Sequence, residues 1–145
     1  MFKRIAVAGS VALVLAGATG CATNRAESTL MAGADLGKIK TVYVVHEDGD
    51  DHAVDLELKK AFEKRGFTVT TGPAQKPPYA QDAVVTYIDK WMWDITMYML
   101  QLTVTVRDSS EFPLATANSL HTSLTRKSQP EMVDEVVTNV LAAKR

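Results

Sequence analysis

Leu100-Gln101-Leu102-Thr103-Val104-Thr105-Val106-Arg107 alternates apolar and polar residues without a fault. A period of two places Leu100, Leu102, Val104 and Val106 on one buried face of a strand and the polar residues on the other. Just upstream, residues 83–94 are rich in Val, Thr, Tyr, Ile and Trp and have the composition of a second long strand. Downstream, Asp108-Ser109-Ser110 and Phe112-Pro113 mark a turn. Residues 114–122 then return antiparallel, with the small side chains of Ala115, Ala117 and Ser119 on one side. These three strands make a meander with one dry face, and a dry face needs a covering layer.

Two amphipathic helices supply that layer. In residues 50–65, Val54, Leu58, Ala61 and Phe62 fall at i, i+4, i+7 and i+8 while Glu57, Lys59, Lys60, Glu63 and Lys64 face water. Asp50 or Asp51 can cap the start, and Gly66 ends the helix. Residues 39–45, β-branched and aromatic, and Phe67-Thr68-Val69-Thr70 flank it as strands. A helical crossover makes that pair parallel and right-handed. Near the C-terminus, Ser128-Gln129-Pro130-Glu131 has the form of a capping box with Pro in the first turn. It opens a stripe of Val133, Val136, Val137, Val140 and Leu141, and Lys144 and Arg145 lie at the negative end. The expected fold is an α+β two-layer sandwich of order β-α-β-β-β-β-α, a mixed sheet with two helices on one face, spanning residues 38–145 as a single domain.

The chain has 145 residues, 46% hydrophobic and 23% charged, enough for one domain with a packed core and an export segment. Sixteen Lys and Arg against seventeen Asp and Glu give a net charge of -1. Without a basic field, nucleic acid is not an expected partner. The N-terminus has a separate design: Lys3 and Arg4 precede an uncharged run, residues 5–18, too short to span a bilayer comfortably. That run ends in Ala18-Thr19-Gly20-Cys21, which resembles the lipobox of bacterial lipoproteins, departing from it at Ala18, where Leu is usual. Residues 1–20 are then a signal peptide, and the resemblance implies a diacylglyceryl group and an N-acyl chain on Cys21. Cys21 is the only cysteine, so no disulfide is expected in the exported domain. No other cofactor is expected. Residues 22–37, small and polar, read as a flexible tether. Ala22, where an inner-membrane retention signal would place Asp, points to the outer membrane of a Gram-negative cell, facing the periplasm.

Two segments carry candidate chemistry. The acidic turn His46-Glu47-Asp48-Gly49-Asp50-Asp51-His52 collects oxygen and imidazole ligands but matches neither an EF-hand loop nor a helical zinc pair. A solvated turn whose acids cap the next helix explains the same residues, so no metal is assigned. Trp91-Met92-Trp93-Asp94-Ile95-Thr96-Met97-Tyr98-Met99 concentrates two Trp, one Tyr and three Met. Such residues serve as core filler, as a partner-binding patch, or as thioether ligands for Cu(I). Trp91, Trp93, Tyr98, Met97 and Met99 are the candidate patch. Regular alternation puts Tyr87, Asp89, Trp91 and Trp93 on one side and Ile88, Lys90, Met92 and Asp94 on the other. No nucleophile elbow or phosphate loop is present, and Ser119, His121 and Asp134 lack any triad context, so the chain is not expected to be an enzyme.

The lipobox, the strand-helix-strand unit and the run Val85-x-Tyr87-x-Asp89-x-Trp91-x-Trp93-Asp94 together resemble small proteobacterial outer-membrane lipoproteins of uncharacterised type. In architecture the chain is similar to auxiliary lipoproteins of envelope machines for lipopolysaccharide assembly, curli secretion and polysaccharide export. That resemblance implies a non-enzymatic accessory that binds another envelope protein and carries over no site residues. The alternative is a module binding an envelope ligand, a glycan or a metal.

Overall fold

The computed structural model describes residues 24–144, so the expected signal peptide, the lipid-bearing Cys21 and Arg145 lie outside the described residues. The elements are β1 (Asn24–Leu30), β2 (Thr41–Val45), α1 (Val54–Glu63), β3 (Thr68–Gly72), β4 (Ala83–Asp94), β5 (Thr96–Asp108), β6 (Pro113–His121) and α2 (Gln129–Leu141), with 3-10 turns at Leu36–Lys38 and Ser123–Thr125. The six strands form one mixed sheet in the order β1-β6-β5-β4-β2-β3. β2 lies parallel to both β3 and β4, and β4, β5 and β6 form the antiparallel meander.

The two-layer α+β sandwich is the one the periodicities require. Leu58 and Phe62 of α1, and Val133, Val136, Val137 and Val140 of α2, are fully buried against Val42, Val44, Val85, Leu102, Val104, Ala115 and Ala117 of the sheet. Alanines on β6 leave room for α2 to approach, and the valines of α2 fill it. The Ser128 capping box is formed in full. Asp50 Oδ2, not Asp51, accepts the first helical N–H of α1, from Val54 at 2.8 Å. Gly66, at φ +93°, ends that turn in the left-handed region. On the opposite face of the sheet, Tyr43, Val45 and Val84 make a smaller cluster under Tyr79.

Two features depart from the sequence expectation. Residues 24–30, expected as part of the tether, form β1, an edge strand paired antiparallel along β6 from Asn24↔His121 to Leu30↔Ala115. Its side chains are exposed from Asn24 to Thr29, so it is held by main-chain hydrogen bonds, which leave no hydrophobic period in the sequence. The chain order therefore gains an N-terminal strand. Second, Leu100 does not join the buried row of Leu102, Val104 and Val106. Lys90 pairs with Gln101 and Trp91 with Met99, so Leu100 is the extra residue of a bulge and is half-buried. Beyond it, the odd-numbered Met97 and Met99 share the face of Leu102.

Candidate functional site at the β4–β5 hairpin

Past the bulge, residues 91–99 carry the β4–β5 hairpin beyond the end of β6, whose pairing with β5 stops at Gln101↔Leu120. Met99 remains in the core, 1% exposed. Tyr98 is also buried, with the Arg126 guanidinium over its ring at 5.2 Å. Trp91 is half-buried and packs against the core. Only Trp93 and Met97 of the five-residue patch stand in solvent, joined by Met92 and by Ile95 at the tip, which is 83% exposed. Met92 pairs opposite Tyr98 while Met97 pairs opposite Trp93, so Met92 lies on the other face of the hairpin from Met97 and Met99, and the three methionines do not share one face.

The tip has unusual backbone chemistry. Ile95 adopts φ +63°, a conformation in which a β-branched side chain is strained. Its neighbours are clamped: Arg126 Nη1 donates to the Asp94 carbonyl at 3.3 Å and to Thr96 Oγ1 at 2.9 Å, and Ser123 hydrogen-bonds the Asp94 carboxylate. Thr125 in turn hydrogen-bonds the Asn24 side chain at the start of β1. The first described residue and the hairpin tip thus lie at one end of the sheet, tied together by the 123–126 turn. Leu124 of that turn is 81% exposed.

At the base of the hairpin the acidic turn meets β4. His52 stacks on Trp91 with ring centroids 3.7 Å apart and planes 12° from parallel. Trp91 Nε1 donates to Asp89 Oδ2 at 2.6 Å. Tyr87 donates its hydroxyl to Asp50 Oδ2 at 2.7 Å. Burial alone would raise the Asp50 carboxyl, but the hydrogen bonds from Tyr87 and from the N–H groups of His52, Val54 and Asp55 outweigh it and hold its pKa below the usual value. Burial and the Asp50 carboxylate push the Tyr87 phenol upward, so it stays a donor. Beside this group, His46 Nδ1 lies 3.1 Å from the buried Asp55, which also accepts from Thr71 at 2.9 Å.

A second polar network lies between β6 and α2. Ser119 and His121, both buried, turn to Glu135, with His121 Nε2 2.9 Å from Oε1, and Lys127 pairs with the other oxygen. Burial opposes ionisation of Glu135, yet the bonds from Lys127, Ser119 and His121 bring its pKa down to about 2. Ser119 and His121 both address one carboxylate oxygen, and the imidazole does not bridge serine and acid as in a hydrolytic triad. Asp134, named with them from sequence, instead pairs with Arg65 at 3.0 Å.

Neither a family model nor a curated protein sequence matches the chain. Among the solved structures that share its fold are two of one protein. Both are PelC dodecamers from Paraburkholderia phytofirmans, one of them a point variant in space group C2, the other in P6. Each is 15% identical in sequence and covers 85% of this chain and 100% of the PelC chain, with TM-scores of 0.59 and 0.60. The chain has the fold of PelC.

Within that fold, the sequence found the hairpin but not its split into buried and exposed halves, which depends on the bulge at Leu100. It also missed Asp55 and Asp89 as neighbours of the acidic turn, and Glu135 as the partner of Ser119 and His121. Asp55 and Glu135 lie outside the apolar stripes of α1 and α2, so the helical period marks neither. Among the described residues no helix is long and apolar enough to cross a membrane.

Proposed function

We propose that the chain is a lipid-anchored, non-enzymatic accessory protein of the outer membrane, facing the periplasm, which binds an envelope protein and assembles with copies of itself. The observation that carries this reading is that Asn24, the first described residue, lies at the same end of the sheet as the apolar tip. Three residue steps separate Cys21 from Asn24, a reach of at most about 10 Å even when extended. Asn24 is joined through Thr125, Ser123 and Arg126 to Asp94 and Thr96. Acyl chains on Cys21 therefore bring a leaflet within reach of Trp93, Ile95, Met97 and Leu124. An exposed indole among aliphatic side chains suits the boundary between headgroups and acyl chains. Strain retained at Ile95, where Gly or Asn would relax the backbone, favours a role for that apolar side chain outside the folded core.

The dodecameric state of both PelC structures supports self-assembly, which in a ring uses two different surfaces of each protomer. Membrane attachment then leaves the helical layer and the open sheet face to meet neighbours and the partner. The test compares the lipidated full chain with Cys21→Ala in crosslinked envelopes, by affinity capture and native mass measurement. The expected result is a multimer with a specific outer-membrane or periplasmic protein, lost in Cys21→Ala. A monomer recovered without a partner, with or without the cysteine, would contradict the reading.

A further inference from the structure

We infer that Asp50, His52 and Asp89 form a binding site for one divalent transition-metal cation, with Trp91 as the residue that positions it. The ligand atoms of the three side chains lie within 4.8 Å of one another. Four ligands placed tetrahedrally around zinc at 2.0–2.1 Å stand roughly 3.3 Å apart, so small side-chain rotations complete the contact. They come from two separate parts of the fold, Asp50 and His52 from the turn before α1 and Asp89 from β4, and meet because the turn folds onto the hairpin base.

Trp91 gives this meeting its order. Its ring stacks on His52 and its N–H fixes Asp89, so one indole orients two of the three ligands, the task that outer-shell partners perform in metal sites. Asp50 is oriented by the Tyr87 hydroxyl and the Val54 N–H, which reach its Oδ2, and by the His52 N–H, which reaches its Oδ1. Among the described residues no Lys or Arg forms an ion pair with Asp50 or Asp89, so two carboxylates face each other with an imidazole as their companion. His52 is exposed, giving the cation a path in and water a place in its coordination shell. A mixed imidazole and carboxylate set suits zinc or a neighbouring first-row divalent ion and gives calcium too few oxygens. The neighbouring His46 and Asp55 are satisfied by each other and by Thr71, so they act as the comparison. A cation here would lock the turn to the base of the hairpin, directly below the tip.

The test is a Zn2+ titration of the full chain in detergent, followed by calorimetry and by tryptophan fluorescence. The expected result is one saturable site per chain with a change in Trp91 emission. His52→Ala and Asp89→Asn should each weaken it at least about tenfold, and Trp91→Phe, which keeps the stack but loses the bond to Asp89, by about tenfold. His46→Gln should leave it unchanged. Circular dichroism of His52→Ala, altered at an exposed ring, separates lost binding from lost folding. No saturable binding at millimolar Zn2+, or binding lost in His46→Gln and kept in His52→Ala, would overturn the assignment.

Discussion

β4 and β5 run through two settings, and the residues they present on the helix-facing side differ less than their surroundings do. In the body of the sheet, Val85, Tyr87, Leu102, Val104 and Val106 lie under α1 and α2 and are almost completely buried. Beyond the bulge the same strands present Trp91, Trp93, Met97 and Met99 on that side, and exposure rises from 1% at Met99 to 69% at Trp93 as the hairpin leaves its cover. Apolar residues in the body are explained by the core they fill. Among the described residues nothing covers those at the tip, so the folded core does not account for their presence, and the proposed contact outside the domain would.

That contrast predicts different penalties for similar substitutions. Leu102→Ala should cost about 2–5 kcal/mol in denaturant unfolding, since it opens a cavity in a fully buried layer. Met97→Ala, on the same strand and face but 52% exposed, should stay within about 0.5 kcal/mol. Equal losses would show that the tip is part of the core. Glu135→Ala should cost about 2 kcal/mol by leaving the buried Ser119 and His121 without their acceptor. Because the folded pKa of Glu135 is lowered from 4.5 to about 2, its contribution is complete above the unfolded value and is lost as pH falls between the two. Acid titration of stability should therefore be flatter over that interval in Glu135→Gln. Ser128→Ala should cost about 1 kcal/mol by removing the capping box of α2. Ile95→Gly should leave stability unchanged or raise it by up to about 1 kcal/mol, because glycine relieves the strain at φ +63° while the unfolded chain gains freedom. It should at the same time weaken attachment to vesicles, a separation that a purely structural tip would not show.

Both helices and the meander were legible in the sequence because each buries a regular stripe. Val54, Leu58 and Phe62, the Val133–Val140 stripe and the row from Leu102 to Val106 all follow from period alone. β1 was not legible, since an edge strand with exposed side chains is specified by the backbone of β6. The bulge was not legible either: Leu100 fits the alternation perfectly in sequence, and only pairing with β4 shows it to be the extra residue. For the same reason Tyr98 and Met99, grouped with Trp93 by composition, fall on the buried side of the boundary. Asp89, a neighbour of the acidic turn, was hidden by distance along the chain, thirty-seven residues after His52.

The most direct test of a membrane-facing tip is quenching of Trp93 by brominated lipids in vesicles carrying the lipidated full chain, with Trp93→Phe as the control for Trp91. Seating of the tip predicts a blue-shifted emission, quenched by lipids brominated near the glycerol level, with both effects absent from Trp93→Phe. Emission from Trp93 that stays red-shifted and unquenched while the protein remains vesicle-bound would contradict it, and would leave the exposed indole to a protein or glycan partner.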